Sequence, residues 1–352
     1  MRLRVEARII EPAWLGALIP LASALATIVA SGLLFGLLGF PAWRTLWAFF
    51  VQPLASLNGW GELALKAGPL AMMAAALAAG FRANVWNIGA EGQLIMGAVA
   101  GGGVALALPY AQGAWVLPLV CLAGIGGGMA WGGIPAFLRT RLGVNEILTS
   151  LMLTYVASLF LSLLVFGPWK DPDGYSEPQS RLFSAAASLP PIIAHMRLTA
   201  GTLVEFLVPV GIWFALRYAL IGFKIRAAGA APAASSYAGF GQGQVVWTVL
   251  LLSGGCAGLA GAFEVTGPIG QLIPQITPGY GFTAIIVAFL GRLNPLGILP
   301  ASLLVALSYI GGDTAQVGTG LPKGAAGVVQ GLLLFFPLAA DFLVRNRIRR
   351  IG

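Results

Sequence analysis

Apolar residues fall along this chain in long blocks, separated by short polar or basic connections. Windows of about 19 residues place hydrophobic spans near residues 14–38, 60–80, 88–108, 114–138, 147–167, 202–220, 245–263, 282–291, 296–310 and 324–344. The blocks lack the polar/apolar alternation of barrel strands, so the predicted element is the helix, which satisfies its backbone hydrogen bonds internally. The eighth and ninth blocks are shorter than a full crossing, and Pro274, Pro278, Pro295 and Pro300 interrupt that region. Broken helices buried against neighbours are expected there, and a count of eight crossings is the alternative to ten. The expected fold is therefore an all-α polytopic membrane protein with about ten transmembrane helices, some of them discontinuous.

Composition agrees. Hydrophobic residues make up 58% of the chain and charged ones 9%, against about a quarter charged in a soluble domain. The mean hydropathy is +0.87. Spans and short connections use up the 352 residues, so residues 1–352 are expected to form a single transmembrane domain. The net charge of +8 is scattered one to four residues at a time between apolar blocks, a pattern of topology rather than of nucleic-acid binding, and the lipid bilayer is the implied surrounding. With ten crossings and a cytoplasmic N-terminus, the inside loops hold Arg2, Arg4, Arg8, Arg82, Arg139, Arg141, Arg217, Lys224, Arg226, Arg292, Arg345, Arg347, Arg349 and Arg350. Arg44, Lys66, Lys170, Arg181, Arg197 and Lys323 fall outside, so the positive-inside rule supports this orientation. Residues 1–13, 221–244 and the basic tail 345–352 are then cytoplasmic, and 168–201 is an external loop. The first apolar run is too long for the core of a signal peptide and should remain as a span.

Several kinds of chemistry are missing. No G-x-x-x-x-G-K-[ST] loop occurs, and LPKGAAG around Lys323 has the wrong spacing, so ATP hydrolysis by this chain is not expected. No serine elbow, dinucleotide fingerprint or metal-ligand pair occurs; His195 is the one histidine and reads as a solvated loop residue. Cys121 and Cys256 lie in apolar runs and read as buried thiols. Gly124 and Gly128, like Gly254 and Gly258, have the spacing that lets helices approach closely. Glu62 and Lys66 are four apart and suited to a helical pair, while Asn145 and Glu146 suit the start of a helix.

FRANVWNIGAEGQLIMG, residues 81–97, resists such readings. Asn84, Asn87, Glu91 and Gln93 are polar groups in a region where burial is costly, and Gly89 and Gly92 permit an interrupted helix. Physical principles leave two readings open: a structural polar knot, or part of a translocation path. Arg82 either pairs with Glu91 or anchors the cytoplasmic edge.

NIGAEGQLIMGA resembles a signature of the ABC importer permeases for nucleosides, within the group that also serves ribose, other simple sugars and branched-chain amino acids. RLGVNEILTSLMLTYVA from Arg141, KIRAAGAAPAASSYAGF from Lys224 and GLAGAFEVTGPIGQLIPQITPGYGFTAIIVAFLGRLNPLG from Gly258 match in the expected order. The resemblance implies that residues 224–240 hold a coupling helix that seats in a groove of a cytoplasmic ATPase. Lys224, Arg226, Ala227, Gly229, Pro232, Ala233, Ala234, Tyr237 and Gly239 carry that role by position. Ala231 stands where relatives commonly have Asn, and Trp86 where they usually have Phe. It further implies ATP and Mg used by the separate ATPase and no cofactor on this chain. The other implied partners are an extracytoplasmic substrate-binding protein or lipoprotein and a second, homologous permease in a heterodimer. The expected setting is the bacterial inner membrane with both termini cytoplasmic. The rival is a secondary transporter driven by an ion gradient, coupling through acids such as Glu91 or Glu264; no inverted sequence repeat supports it.

Overall fold

The computed structural model describes residues 2–7, 13–174, 178–193 and 196–351, so His195 and Arg8 lie outside the described residues. The ten apolar blocks correspond one by one to α1 (Ala13–Leu37), α3 (Leu57–Arg82), α4 (Ala90–Ala107), α5 (Val116–Leu142), α6 (Glu146–Phe166), α7 (Ala200–Tyr218), α10 (Gln242–Glu264), α11 (Tyr280–Leu290), α12 (Pro295–Thr319) and α13 (Lys323–Arg345). Among the described residues eight helices are long and apolar enough to cross a membrane; α1, apolar over Leu25–Leu37, and the 11-residue α11 complete the ten. The chain is an all-α polytopic membrane protein.

The expectation of a short ninth span is corrected: α12 runs 25 residues through Pro300. A proline near the start of a helix removes one hydrogen bond, and the apolar run SLLVALSYI that follows carries the helix on. Smaller elements lie outside the apolar blocks, besides short turns over Gln52–Leu54 and Val265–Ile269. They are α2 (Ala42–Leu46), which leads into a π-helical turn over Trp47–Val51, α8 (Leu220–Ala230), α9 (Pro232–Tyr237), and a ribbon in which β1 (Arg2–Ala7) pairs antiparallel with β2 (Asn346–Ile351).

The chain divides into two compact units, Met1–Leu63 with Leu303–Gly352, and Ala64–Ser302. Helices α3 and α12 each run from one into the other. In the first unit α1 packs on α13. Its core gathers Phe35, Phe49, Ala315, Leu321 and Val329, with the two phenyl rings 6.5 Å apart.

In the second unit α4, α5 and α10 pack on one another. A Cβ at Gly128 would overlap the main chain of Gly254 and Gly258, and one at Gly124 would press on Ala262 and the Gly258 carbonyl. The G-x-x-x-G pairs are thus the crossing of α5 with α10, where backbone meets backbone and dispersion replaces the hydrophobic drive that lipid cannot supply. The long connection before α7 folds back on the segment after α10. Ser180 N donates to the Leu272 carbonyl (2.9 Å), Phe183 N to that of Gly270 (2.9 Å) and Leu189 N to that of Thr266 (2.8 Å).

Candidate functional site

Residues 83–89 link α3 to α4: the amides of Ala83, Asn84 and Val85 close the turn on the carbonyls of Gly80 and Phe81, and those of Trp86, Ile88 and Gly89 are met by side chains. Trp86 N donates to Glu146 Oε1 (3.2 Å), Ile88 N to Ser150 Oγ (3.2 Å) and Gly89 N to Asn87 Oδ1 (3.0 Å). Glu146 also takes an ion pair from Arg139, and Asn145 Oδ1 caps α6 by accepting from Ile147 N (2.8 Å). Asn87 Nδ2 donates to Gln93 Oε1 and to Ser253 Oγ, both at 2.8 Å, and Gln93 Nε2 donates back to Asn87 Oδ1 at 3.2 Å. All three side chains are buried. This closed set ties α4 to α10, and an unmet donor or acceptor at such depth would be costly.

Glu91 does something different. Its buried carboxylate accepts from the Thr277 hydroxyl and, at 2.6 Å, from Gly281 N in the first turn of α11. An acid at the N-terminal end of a helix meets unsatisfied amides and the positive end of the macrodipole. Glu91 meets two such ends, in the first turns of its own α4 and of α11. Gly279, at φ 95°, turns the chain into α11, and a Cβ at Gly281 would overlap the Ala90–Glu91 backbone. Only glycine fits so close an approach.

Beside Glu91 opens a cavity of about 460 Å³ between α4, α6, the 274–279 loop and α11. Thr154, Tyr155 and Ser158 line it from α6, Gln275 and Thr277 from the loop, and Phe282 from α11, with Glu91 its one charged lining residue. Gly92 makes the α6 wall possible, because a Cβ there would press on Thr154. Hydroxyl, amide and aromatic groups converging on a polar hollow can pair the hydroxyls of a solute and stack on a ring. Of the four polar residues singled out in the sequence, Glu91 lines this cavity, whereas Asn87 and Gln93 bond each other and Asn84 lies elsewhere. Sequence reasoning missed Thr277, Gly281, Tyr155, Ser158 and Gln275; the one available signal was the glycine pair in PGYGF.

Asn84 takes the left-handed backbone conformation, φ 55°, and its Nδ2 donates 3.0 Å to the Gly229 carbonyl at the end of α8. A Cβ at Gly229 would overlap the Arg82 carbonyl, so α8 lies directly on the turn that ends α3. After Ala231, Pro232 opens α9 without a side-chain cap, as expected of an alanine at the cap position. Every α9 residue except Ser235 is exposed, and Tyr237 is 98% exposed. Lys224, Arg226 and Ala227 belong to α8, Ala233 and Ala234 to α9, and Gly239 turns the chain with φ 83°.

Residues 60–338 match the family described as branched-chain amino acid transport system / permease component. The chain is 35% identical, over 99% of its length and 94% of the relative, to the glucose ABC transporter permease protein TsgB13 of Haloferax volcanii. It is 30% identical to the guanosine ABC transporter permease protein NupP of Bacillus subtilis, over 81% of this chain and 82% of the relative. With the nucleoside ABC transporter permease protein NupB of Lactococcus lactis subsp. cremoris the identity is 28%, over 86% and 85%. Spans, signature segments and relatives agree, and the chain belongs to the branched-chain amino acid transport system permease component family as a multi-pass ABC importer permease.

Proposed function

We propose that this permease carries a nucleoside, or failing that a simple sugar, across the bacterial inner membrane into the cytoplasm. The observation that carries this reading is the cavity beside Glu91. Thr154, Ser158, Gln275 and Thr277 suit the hydroxyls of a sugar ring, and Tyr155 and Phe282 suit the face of a base. The guanosine, nucleoside and glucose permeases among its relatives support the same class. Asn84, Asn87 and Gln93 act on the path through the α3–α4 passage they brace. A separate cytoplasmic ATPase, using ATP and Mg, supplies the drive, and the exposed α9 seats on it with Pro232, Ala233, Ala234 and Tyr237, braced by Lys224, Arg226, Ala227, Gly229 and Gly239. An extracytoplasmic binding protein delivers the solute, and a second, homologous permease completes a heterodimer. Both termini are cytoplasmic in this arrangement.

Reconstitution tests the reading. The chain alone in liposomes should show neither ATPase activity nor uptake driven by a proton or sodium gradient. With its ATPase, partner permease and binding protein it should accumulate labelled nucleoside when ATP is supplied, and Tyr155→Ala should weaken nucleoside uptake more than sugar uptake. Accumulation by the isolated chain on an ion gradient alone would overturn the proposal.

A further inference from the structure

Where α7 passes into α8, a second hollow of about 250 Å³ opens on the surface. Leu220, Ile221 and Ile225 line it from α8, and Val245 and Thr248 from α10. Its one formally charged lining residue is Lys224, whose ammonium lies 5.5 Å from the centroid of the Phe240 ring at one end of the hollow. Arg217, three residues before Leu220, rests its guanidinium against Trp213 and Tyr218 at 5.6 and 5.7 Å. Neither cation has a carboxylate partner among the described residues.

The surroundings say what would fill such a groove. Helix α7 is a membrane span, and its exposed Leu207, Phe214 and Tyr218 lead directly to exposed Leu220, Ile221 and Phe223. Aromatic and basic side chains at the end of an apolar span mark the membrane–water boundary. A basic pocket between helices at that boundary fits a lipid with an acidic headgroup, its acyl chain along the aliphatic wall. The exposed aliphatic and aromatic side chains of α7 lead along the sequence into this groove, which favours an acyl chain as its occupant.

We propose that the α8–α10 groove is a binding site for an anionic phospholipid, with the phosphate at Lys224, reinforced by Arg217, and one acyl chain along exposed Leu220 and Ile221. Lys224 then holds the lipid headgroup from α8, the helix that braces α9.

Native mass spectrometry of the purified full chain, titrated with phosphatidylglycerol and separately with phosphatidylcholine, tests this. The wild type should favour phosphatidylglycerol, and Lys224→Gln should lower its affinity about fivefold while leaving phosphatidylcholine unchanged. Ile221→Trp, which fills the groove from an exposed wall and keeps the charge, should weaken both lipids. Lys170→Gln, in a connection far along the sequence, should change neither. Equal binding of the two lipids by the wild type would overturn the proposal, as would an unchanged preference in Lys224→Gln. Loss of the ATPase from the assembled transporter in Lys224→Gln with lipid binding intact would instead assign the lysine to the ATPase interface and overturn it too.

Discussion

Glu91 sits where two helix beginnings meet, and its two hydrogen bonds hold the wall of the cavity in place. Glu91→Gln retains the shape: the amide oxygen can accept from Gly281 N while the amide nitrogen donates to the Thr277 hydroxyl, which turns to accept. What is lost is charge assistance, so stability should fall by about 1 kcal/mol. Glu91→Ala strands both donors in a buried place and should cost about 3 kcal/mol or more. Thermal unfolding of the purified variants checks the order. If Glu91→Gln instead unfolds like the wild type but halts uptake in the assembled transporter, the negative charge acts on the solute rather than on the wall.

At the scale of elements, the crossing of α5 and α10 and the exposed α9 make opposite demands. Gly128→Val would force a side chain into the main chain of α10, and overpacking of this kind costs about 1–3 kcal/mol or more; the yield of folded protein should drop sharply in size-exclusion profiles. Ala233→Glu and Ala234→Glu fall on exposed positions, so unfolding should be unchanged while co-purification of the ATPase falls. Normal recovery of the complex with both substitutions would move docking away from α9. All ten apolar helices were legible in the sequence because a span in lipid needs a long apolar run whatever its neighbours. The glycine crossing was legible too, since close approach requires small residues at fixed spacing. Less could be read of α2 and the π-turn over Trp47–Val51, which are short and carry no periodic signal, or of the length of α12, whose prolines read as breaks. In the site, Glu91 stood out as an acid in an apolar setting. Its partners Thr277 and Gly281 did not, being an ordinary hydroxyl and an ordinary glycine 186 and 190 residues away, joined to it only by the tertiary fold.

Across the whole molecule, the unit built from Met1–Leu63 and Leu303–Gly352 is assembled from two stretches of sequence on either side of the other unit. Helix α1 finds its packing partner in α13, roughly three hundred residues later. Contacts so distant in sequence are slow to form, because the closure of the intervening chain must come first. During synthesis the Ala64–Ser302 unit can complete its glycine-lined helix contacts while α1 waits in the bilayer for a helix not yet made. Nascent chains arrested after Ser302 should therefore show α4, α5 and α10 protected from protease and a cysteine at Phe35, covered only by the segment with Ala48 and Phe49, labelled faster than in the full chain, where Ala315, Leu321 and Val329 cover it as well. Early exclusion would mean that α1 is covered by something other than α13. The interval leaves an unpaired apolar helix open to misassembly, and the membrane's insertion and quality-control machinery would have to guard it for nearly the whole time of translation.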